Sequence, residues 1–285
     1  MDARTASFNE PLRPIAGFMF DVDGTLILSN RALGGYTLLP GAAKTLGTLK
    51  ERGVPFVALT NGSAYPPAEQ AGKLRALGLP IDDSAMLTPS SIAADMMVRR
   101  GVASVLLLGM PGVGHCLTEA GIAVVMPNDD GAEDVDAVYV GWHPDCGMHD
   151  IHVACSAIWN GAKLYVASNV PFFASSTGKA PGYSYVITAA IRKLTRAPMI
   201  LTGKPSLDAL RFVARKLAVP MKSLAVVGDD PLVEIIMARR AGALAFGVTT
   251  GTTSAEEWAQ QPLNKRPHRI LGGVADVLSL ETAAP

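Results

Sequence analysis

The chain has 285 residues, 49% of them hydrophobic, and its 25 basic side chains balance 25 acidic ones. That length suits one large domain or a core with a second domain inserted, and zero net charge excludes the broad basic field that draws nucleic acid or anionic membrane. Cys116, Cys146 and Cys155 form neither an even disulfide framework nor a close-set metal pair, so a reducing compartment is expected.

Residues 1–14 are polar and proline-bearing, without an apolar signal core, and are expected to form an N-terminal arm. The longest apolar runs are strand-sized, against the roughly 20 residues needed to cross a bilayer, so a soluble cytoplasmic protein is expected. Ile15 to Phe20 reads as a buried strand ending in Asp21-Val22-Asp23-Gly24-Thr25. Two carboxylates one residue apart repel unless a cation sits between them or one keeps its proton. The alternatives are a divalent metal site, a nucleophile beside a general acid, or a plain strand-ending Asp-Gly turn.

Pro40 and Gly41 open a helix through Lys50, stopped by Gly53. Val54 to Leu59 is a second strand, ending in Thr60-Asn61-Gly62-Ser63, and Pro66-Pro67 start a helix that Gly78 ends. This β-α-β-α order predicts a parallel sheet with crossover helices. The alternation continues with helices over 90–100, 113–120, 149–160 and 183–194. Strands are expected over 104–108, 122–125, 135–140 and 163–167, with a long loop from Ser168 to Gly182. Residues 88–198 are expected to be an inserted α/β domain. The first domain then resumes with a strand from Pro198 to Leu201, ending in Thr202-Gly203-Lys204-Pro205. A helix over 206–217 follows, then the strand Leu224 to Val227 ending in Gly228-Asp229-Asp230-Pro231. A helix over 232–241, the strand Leu244 to Val248 and a final short strand and helix complete the chain.

In an open parallel sheet the ligand crevice lies beyond the carboxyl ends of the strands. Asp21, Asp23, Thr60, Lys204 and Asp229 all stand at or just past such ends. Three carboxylates suit a hard ion with oxygen ligands, for which Mg²⁺ is the natural guest. A lysine, a hydroxyl and turn amides form an anion cradle. Together they describe phosphoryl transfer.

DVDGT, LTNGS, TGKPS and VVGDDPLVE, in this order, resemble the four motifs of the haloacid dehalogenase-like hydrolases. The resemblance is greatest to their subclass IIA, the NagD-like or 4-nitrophenylphosphatase-like branch. It implies a Rossmann-like three-layer α/β/α core over 15–87 and 199–285, with a large inserted α/β cap domain over 88–198 that sets specificity. It also implies a Mg²⁺-dependent phosphatase acting on a small phosphorylated metabolite through an aspartyl-phosphate intermediate, with the cap closing over the substrate and a possible homodimer through that cap. Asp21 would be the nucleophile and a metal ligand. Asp23 would be the general acid–base, its backbone carbonyl touching the metal. Thr60 and Lys204, with the amides of Val22 and Asn61, would hold the phosphoryl oxygens, and Asp229 would complete the metal contacts. Asp230, before Pro231, reads as a helix N-cap in preference to a metal ligand. Glu234 would hold metal-bound water from the second rank, or simply complement the helix dipole. The chain departs from the family at Ser168-Asn169-Val170-Pro171, where relatives carry an Asn-Pro-Asp-like stretch. Lys179 in that loop hints at an acidic leaving group. Rival readings are a halide-removing hydrolase, which needs neither Asp23 nor a metal, a phosphotransferase or mutase, and a phosphometabolite-binding regulatory protein.

Three further features are set aside. His143, Cys146, His149 and His152 lack zinc-site spacing and read as loop-and-helix surface, with a substrate-facing position left open. Gly109 to Gly114 reads as a tight turn, because it has no Walker lysine and no acidic dinucleotide partner. Trp142, Trp159, Tyr165, Phe172 and Phe173 read mostly as core.

Overall fold

The computed structural model of the protein describes residues 13–29, 35–175 and 178–282. The arm expected over 1–14 therefore lies outside the described residues except for Arg13 and Pro14. The side chains of Phe173 and Lys179 lie outside them too.

The chain opens with β1 (Gly17–Phe20), the strands β2 (Ile27–Ser29) and β3 (Tyr36–Leu38), α1 (Ala42–Glu51), β4 (Phe56–Leu59), α2 (Pro67–Ala76) and β5 (Met86–Leu87). It continues through α3 (Pro89–Arg99), β6 (Ser104–Leu108), α4 (Pro111–Glu119), β7 (Ala123–Val125), β8 (Ala137–Val140), α5 (Met148–Trp159) and β9 (Lys163–Val166). Next come β10 (Phe172–Ser175), β11 (Gly178–Pro181), α6 (Tyr183–Thr195), β12 (Met199–Leu201), α7 (Leu207–Lys216) and β13 (Leu224–Gly228). A π turn (Pro231–Ile235), α8 (Ile236–Ala241), β14 (Leu244–Val248), α9 (Ala255–Gln260) and β15 (Arg269–Leu271) end the regular structure.

These elements divide into two compact units. The first holds the residues through Leu59, Ala71–Met86 and Leu210 onward. Its six-stranded sheet runs in the order β15-β14-β13-β1-β4-β5. The pairs β1–β4, β1–β13, β13–β14 and β14–β15 are parallel. Every residue of β1, β4, β13 and β14 is buried, as expected of strands covered on both faces by crossover helices. Phe18 stacks on Phe20 at 5.5 Å between centroids, and Phe20 meets Phe56 edge-on at 6.2 Å. Each ring removed from water contributes about 1.5–3 kcal/mol. Helix α1 presents Ala42, Thr45, Leu46 and Leu49 as its buried face, a three-and-four spacing, and Gly53 follows it at φ 67°.

The second unit holds Thr60–Gln70 and Leu87–Ala209. Its five-stranded sheet is parallel throughout, in the order β12-β9-β8-β6-β7. Leu106, Leu108, Val138 and Val140 on its strands pack with Ile151, Ala154, Ile187 and Ile191 of α5 and α6. The strand expected to reopen the first domain is β12, yet Met199–Leu201 pairs with Leu164–Val166 of β9. An edge strand of three residues takes the open edge that its backbone groups can complete, and local periodicity does not specify which sheet that is. The loop expected over 168–182 contains a hairpin, with Phe172 opposite Pro181. The hairpin β2–β3 had no expected counterpart.

Candidate active site

In the first unit, β1 and β13 lie side by side and deliver two carboxylates just past their carboxyl ends. The Asp21 amide donates to Val227 O at 2.8 Å, extending the parallel ladder to the residue where the chain turns. The Asp21 side chain is buried, and Thr25 Oγ1 donates to its Oδ2 at 3.3 Å. The turn is closed by bonds from the amides of Leu26 and Ile27 to Val22 O, at 2.9 and 3.0 Å. Asp23 lies exposed on that turn, where the Ser29 amide donates to its Oδ1 at 3.0 Å and the Ser29 hydroxyl donates to its Oδ2. The two acids thus occupy different surroundings, one buried and one open to solvent.

Asp229 is also buried, and the Thr252 amide donates to its Oδ2 at 2.7 Å. Two glycines leave room for this carboxylate. A Cβ at Gly24, whose φ is 84°, would fall 2.5 Å from Asp229 Oδ2, and one at Gly251 would fall 2.1 Å from it. Thr250 Oγ1 donates to Gly24 O at 2.7 Å and ties the two loops together. Buried oxygen donors from adjacent strand ends, in a cradle that a methyl group would fill, fit a hard divalent cation. Asp230 caps the turn that follows: its Oδ1 accepts from the Leu232 amide at 2.7 Å. A regular helix is expected over 232–241, but Pro231–Ile235 form a π turn, with the Ile235 amide donating to Asp230 O at 3.4 Å. Glu234 is buried within that turn, and its Cγ lies 2.3 Å from where a Cβ on Gly228 would stand.

The second unit holds the hydroxyl, the amide and the lysine. Thr60 Oγ1 accepts from the Gly62 amide at 2.9 Å. Asn61 and Lys204 exchange two bonds: Asn61 Nδ2 donates to Lys204 O at 3.0 Å, and the Lys204 amide donates to Asn61 Oδ1 at 2.8 Å. Lys204 is 2% exposed and precedes a cis peptide to Pro205. The Gly203 amide donates to Ala167 O at 3.0 Å, so the lysine loop is held at the end of β9 as well.

Sequence reasoning did not single out Thr25, Ser29 or Thr252, which hold the three carboxylates. Their signal is weak, because a hydroxyl residue near an acid is commonplace in turns. It also missed Asp150. His143 Nε2 lies 3.5 Å from Asp150 Oδ2, and donor atoms of His143, Cys146 and Asp150 all lie within 4.8 Å of one another. His149 is apart from that group, its Nε2 3.2 Å from Pro127 O. Burial and the nearby Asp150 carboxylate push the Cys146 thiol up to about 11. The expected glycine turn over 109–114 is the entry to α4, where Gly112 admits Ala64 O, 2.7 Å from a would-be Cβ. Tyr165 is core, but Trp159 is 63% exposed and Phe172 49%, contrary to the expectation that most of these aromatics are core. Both lie at element ends, which leaves their rings uncovered.

Residues 18–123 match the family model described as haloacid dehalogenase-like hydrolase, and residues 201–277 match one described as HAD-hydrolase-like. The chain is 26% identical to the 5'-nucleotidase YutF of Bacillus subtilis, over 91% of this chain and 96% of that protein. It is also 26% identical to the ribonucleotide monophosphatase NagD of Escherichia coli K12, over 92% and 98%. Among solved structures, a 4-nitrophenylphosphatase from Thermotoga maritima superposes with a TM-score of 0.82 at 27% identity, over 94% of this chain and 98% of the other. Among the described residues, no helix is long and apolar enough to cross a membrane.

Proposed function

We infer that the chain, which matches two models of the haloacid dehalogenase-like hydrolases and is similar over most of its length to phosphatases, is a phosphatase of that family that cleaves a small phosphorylated metabolite through an aspartyl-phosphate on Asp21. The observation that carries the reading is the pair of buried carboxylates, Asp21 and Asp229, at the carboxyl ends of adjacent parallel strands. Two buried acids at neighbouring strand ends repel unless a cation offsets them.

In this reading Asp21 attacks phosphorus in line, and the bond from phosphorus to the leaving oxygen breaks as the new one forms. Asp23, exposed and oriented by Ser29, gives its proton to that oxygen. The same carboxylate then takes a proton from the water that attacks the aspartyl-phosphate, which releases phosphate and restores Asp21. Asp21, Asp229 and the main-chain carbonyl of Asp23 are the groups that would hold Mg²⁺. When bound, the ion supplies charge neutralisation at the phosphoryl oxygens. Lys204, Thr60 and the amides of Val22 and Asn61 are assigned to those same oxygens. Asp230 keeps its capping bond, and Glu234 acts on the metal's surroundings from within the π turn. The substrate class is a sugar phosphate, a nucleotide or a similar monoester. This is in keeping with the nucleotidase and monophosphatase named among the relatives.

The test is phosphate release from 4-nitrophenyl phosphate and a panel of metabolite monoesters, with and without Mg²⁺, for the parent chain and Asp21→Asn. The expected result is Mg²⁺-dependent turnover that Asp21→Asn lowers at least ~1,000-fold. Equal rates in the two proteins would overturn the assignment of Asp21.

A further inference from the structure

We propose that His143, Cys146 and Asp150 form a second metal site, for a borderline transition-metal dication such as Zn²⁺, with one coordination position left for water or an anionic donor. The three residues lie on one loop and the first turn of the helix it enters, following the carboxyl end of β8. That strand is central in the second unit's parallel sheet, with β6 and β9 as its neighbours. Loops at this end of an open parallel sheet are where such folds bind ligands.

The donor set is mixed: imidazole nitrogen, thiol sulfur and carboxylate oxygen, all within 4.8 Å of one another. That combination is one a zinc ion takes, and it is foreign to Mg²⁺ or Ca²⁺. Nitrogen and oxygen ligands about 2.0–2.1 Å from a tetrahedral ion lie about 3.4 Å apart. His143 Nε2 and Asp150 Oδ2 are 3.5 Å apart, already at that spacing. Their side chains are 17% and 15% exposed, sheltered enough to be ordered and open enough for an ion to enter.

The plainer account has two parts. Asp150 caps α5 by accepting from the Gly147 amide at 2.7 Å, and His143 pairs with the same oxygen. In that account Cys146 Sγ makes a weak contact to Gly147 O at 3.9 Å and a hydrogen bond to the Asp150 carboxylate, so all three side chains already converge on one point. A metal would draw the same three donors onto a single centre. On binding, the thiol proton leaves to solvent and the thiolate occupies the metal.

The experiment titrates the 285-residue chain with Co²⁺, then Zn²⁺, in saturating Mg²⁺ so that oxygen-only sites are filled. One equivalent of Co²⁺ is expected to raise a sulfur-to-cobalt charge-transfer band with intense visible bands of tetrahedral geometry, and Zn²⁺ to bleach both. Cys146→Ser should lose the charge-transfer band and bind Zn²⁺ at least ~10-fold more weakly, with circular dichroism and melting temperature confirming the fold. His143→Gln should weaken Zn²⁺ by a similar factor and retain the sulfur band at higher Co²⁺. The proposal is overturned by a folded parent chain that shows no such band, by a band unchanged in Cys146→Ser, or by equal Zn²⁺ affinity in the parent and His143→Gln.

Discussion

Asn61 and Lys204 stand 143 positions apart, and each supplies one donor and one acceptor to the other. The side-chain amide of Asn61 thereby does for the lysine loop what a neighbouring strand would do: it pairs both backbone groups of a residue that is 2% exposed. Asn61 was expected to serve through its own backbone amide, and its side chain has this separate, positioning task. Asn61→Ala is expected to lower stability by about 1–3 kcal/mol in urea unfolding, because two buried backbone groups lose their partners. Turnover should fall further than stability explains, with kcat reduced more than KM is raised, since Lys204 remains present but loosely placed. Unchanged kcat in a folded variant would remove the positioning role.

Metal dependence separates the two proposed ions. Chelation is expected to abolish phosphate release, and Mg²⁺ to restore it, with Ca²⁺ a poor replacement because of its larger, looser coordination shell. Asp229→Asn should raise the Mg²⁺ concentration giving half-maximal rate at least ~10-fold. The same variant should leave the cobalt–thiolate band untouched, because it keeps all three of the proposed ligands His143, Cys146 and Asp150.

Gly251→Ala places a methyl carbon 2.1 Å from Asp229 Oδ2, well inside contact distance. The carboxylate or its loop must shift, at a cost of about 1–3 kcal/mol. The expected result is a lower melting temperature together with a raised Mg²⁺ requirement, measured by calorimetry and by rate against metal concentration. A variant with parental values for both would show that Asp229 has freedom the structure does not give it.

Asp136, just before β8, takes bonds on one oxygen from the amides of Ala103 and Ser104, at 2.8 and 3.0 Å. Those bonds hold its carboxyl below the usual carboxylate range. The stabilisation is therefore complete above the unfolded value, about pH 3.9, and fades as pH falls through the lower folded value. Asp136→Ala is expected to cost about 1 kcal/mol at pH 7, a figure kept small because the group faces water. The gap between parent and variant should narrow below about pH 4. A gap constant from pH 7 to pH 3 would mean that the ionised form is not what matters.

The strand ends that carry the acids were legible because an apolar run and its closing turn are both local features. Asp21 and Asp229 needed no long-range knowledge beyond the rule that parallel strands share one ligand-bearing edge. Membership of β12 was not legible. Three residues of strand carry too little pattern to name their partner, and pairing with β9 is decided by which edge is open. Asp150 was missed for a related reason. Its approach to His143 depends on how the loop before α5 bends, and neither helical nor strand periodicity reports a bend. The exposed Trp159 shows the opposite error, an aromatic residue taken for core on its type alone.

The turn Pro231–Ile235 holds one more residue than an α-helical turn would. Removing a residue there, for instance Leu232 with 56% exposure, offers the backbone an ordinary helical turn and leaves the buried Ile236, Met237 and Ala238 of α8 free to keep their seats. What such a shortened chain forfeits is the rotation that lays Glu234 across Gly228. A single-codon deletion at this point would thus dissociate two properties that substitutions tend to damage together, leaving a sound fold around a misdirected acid.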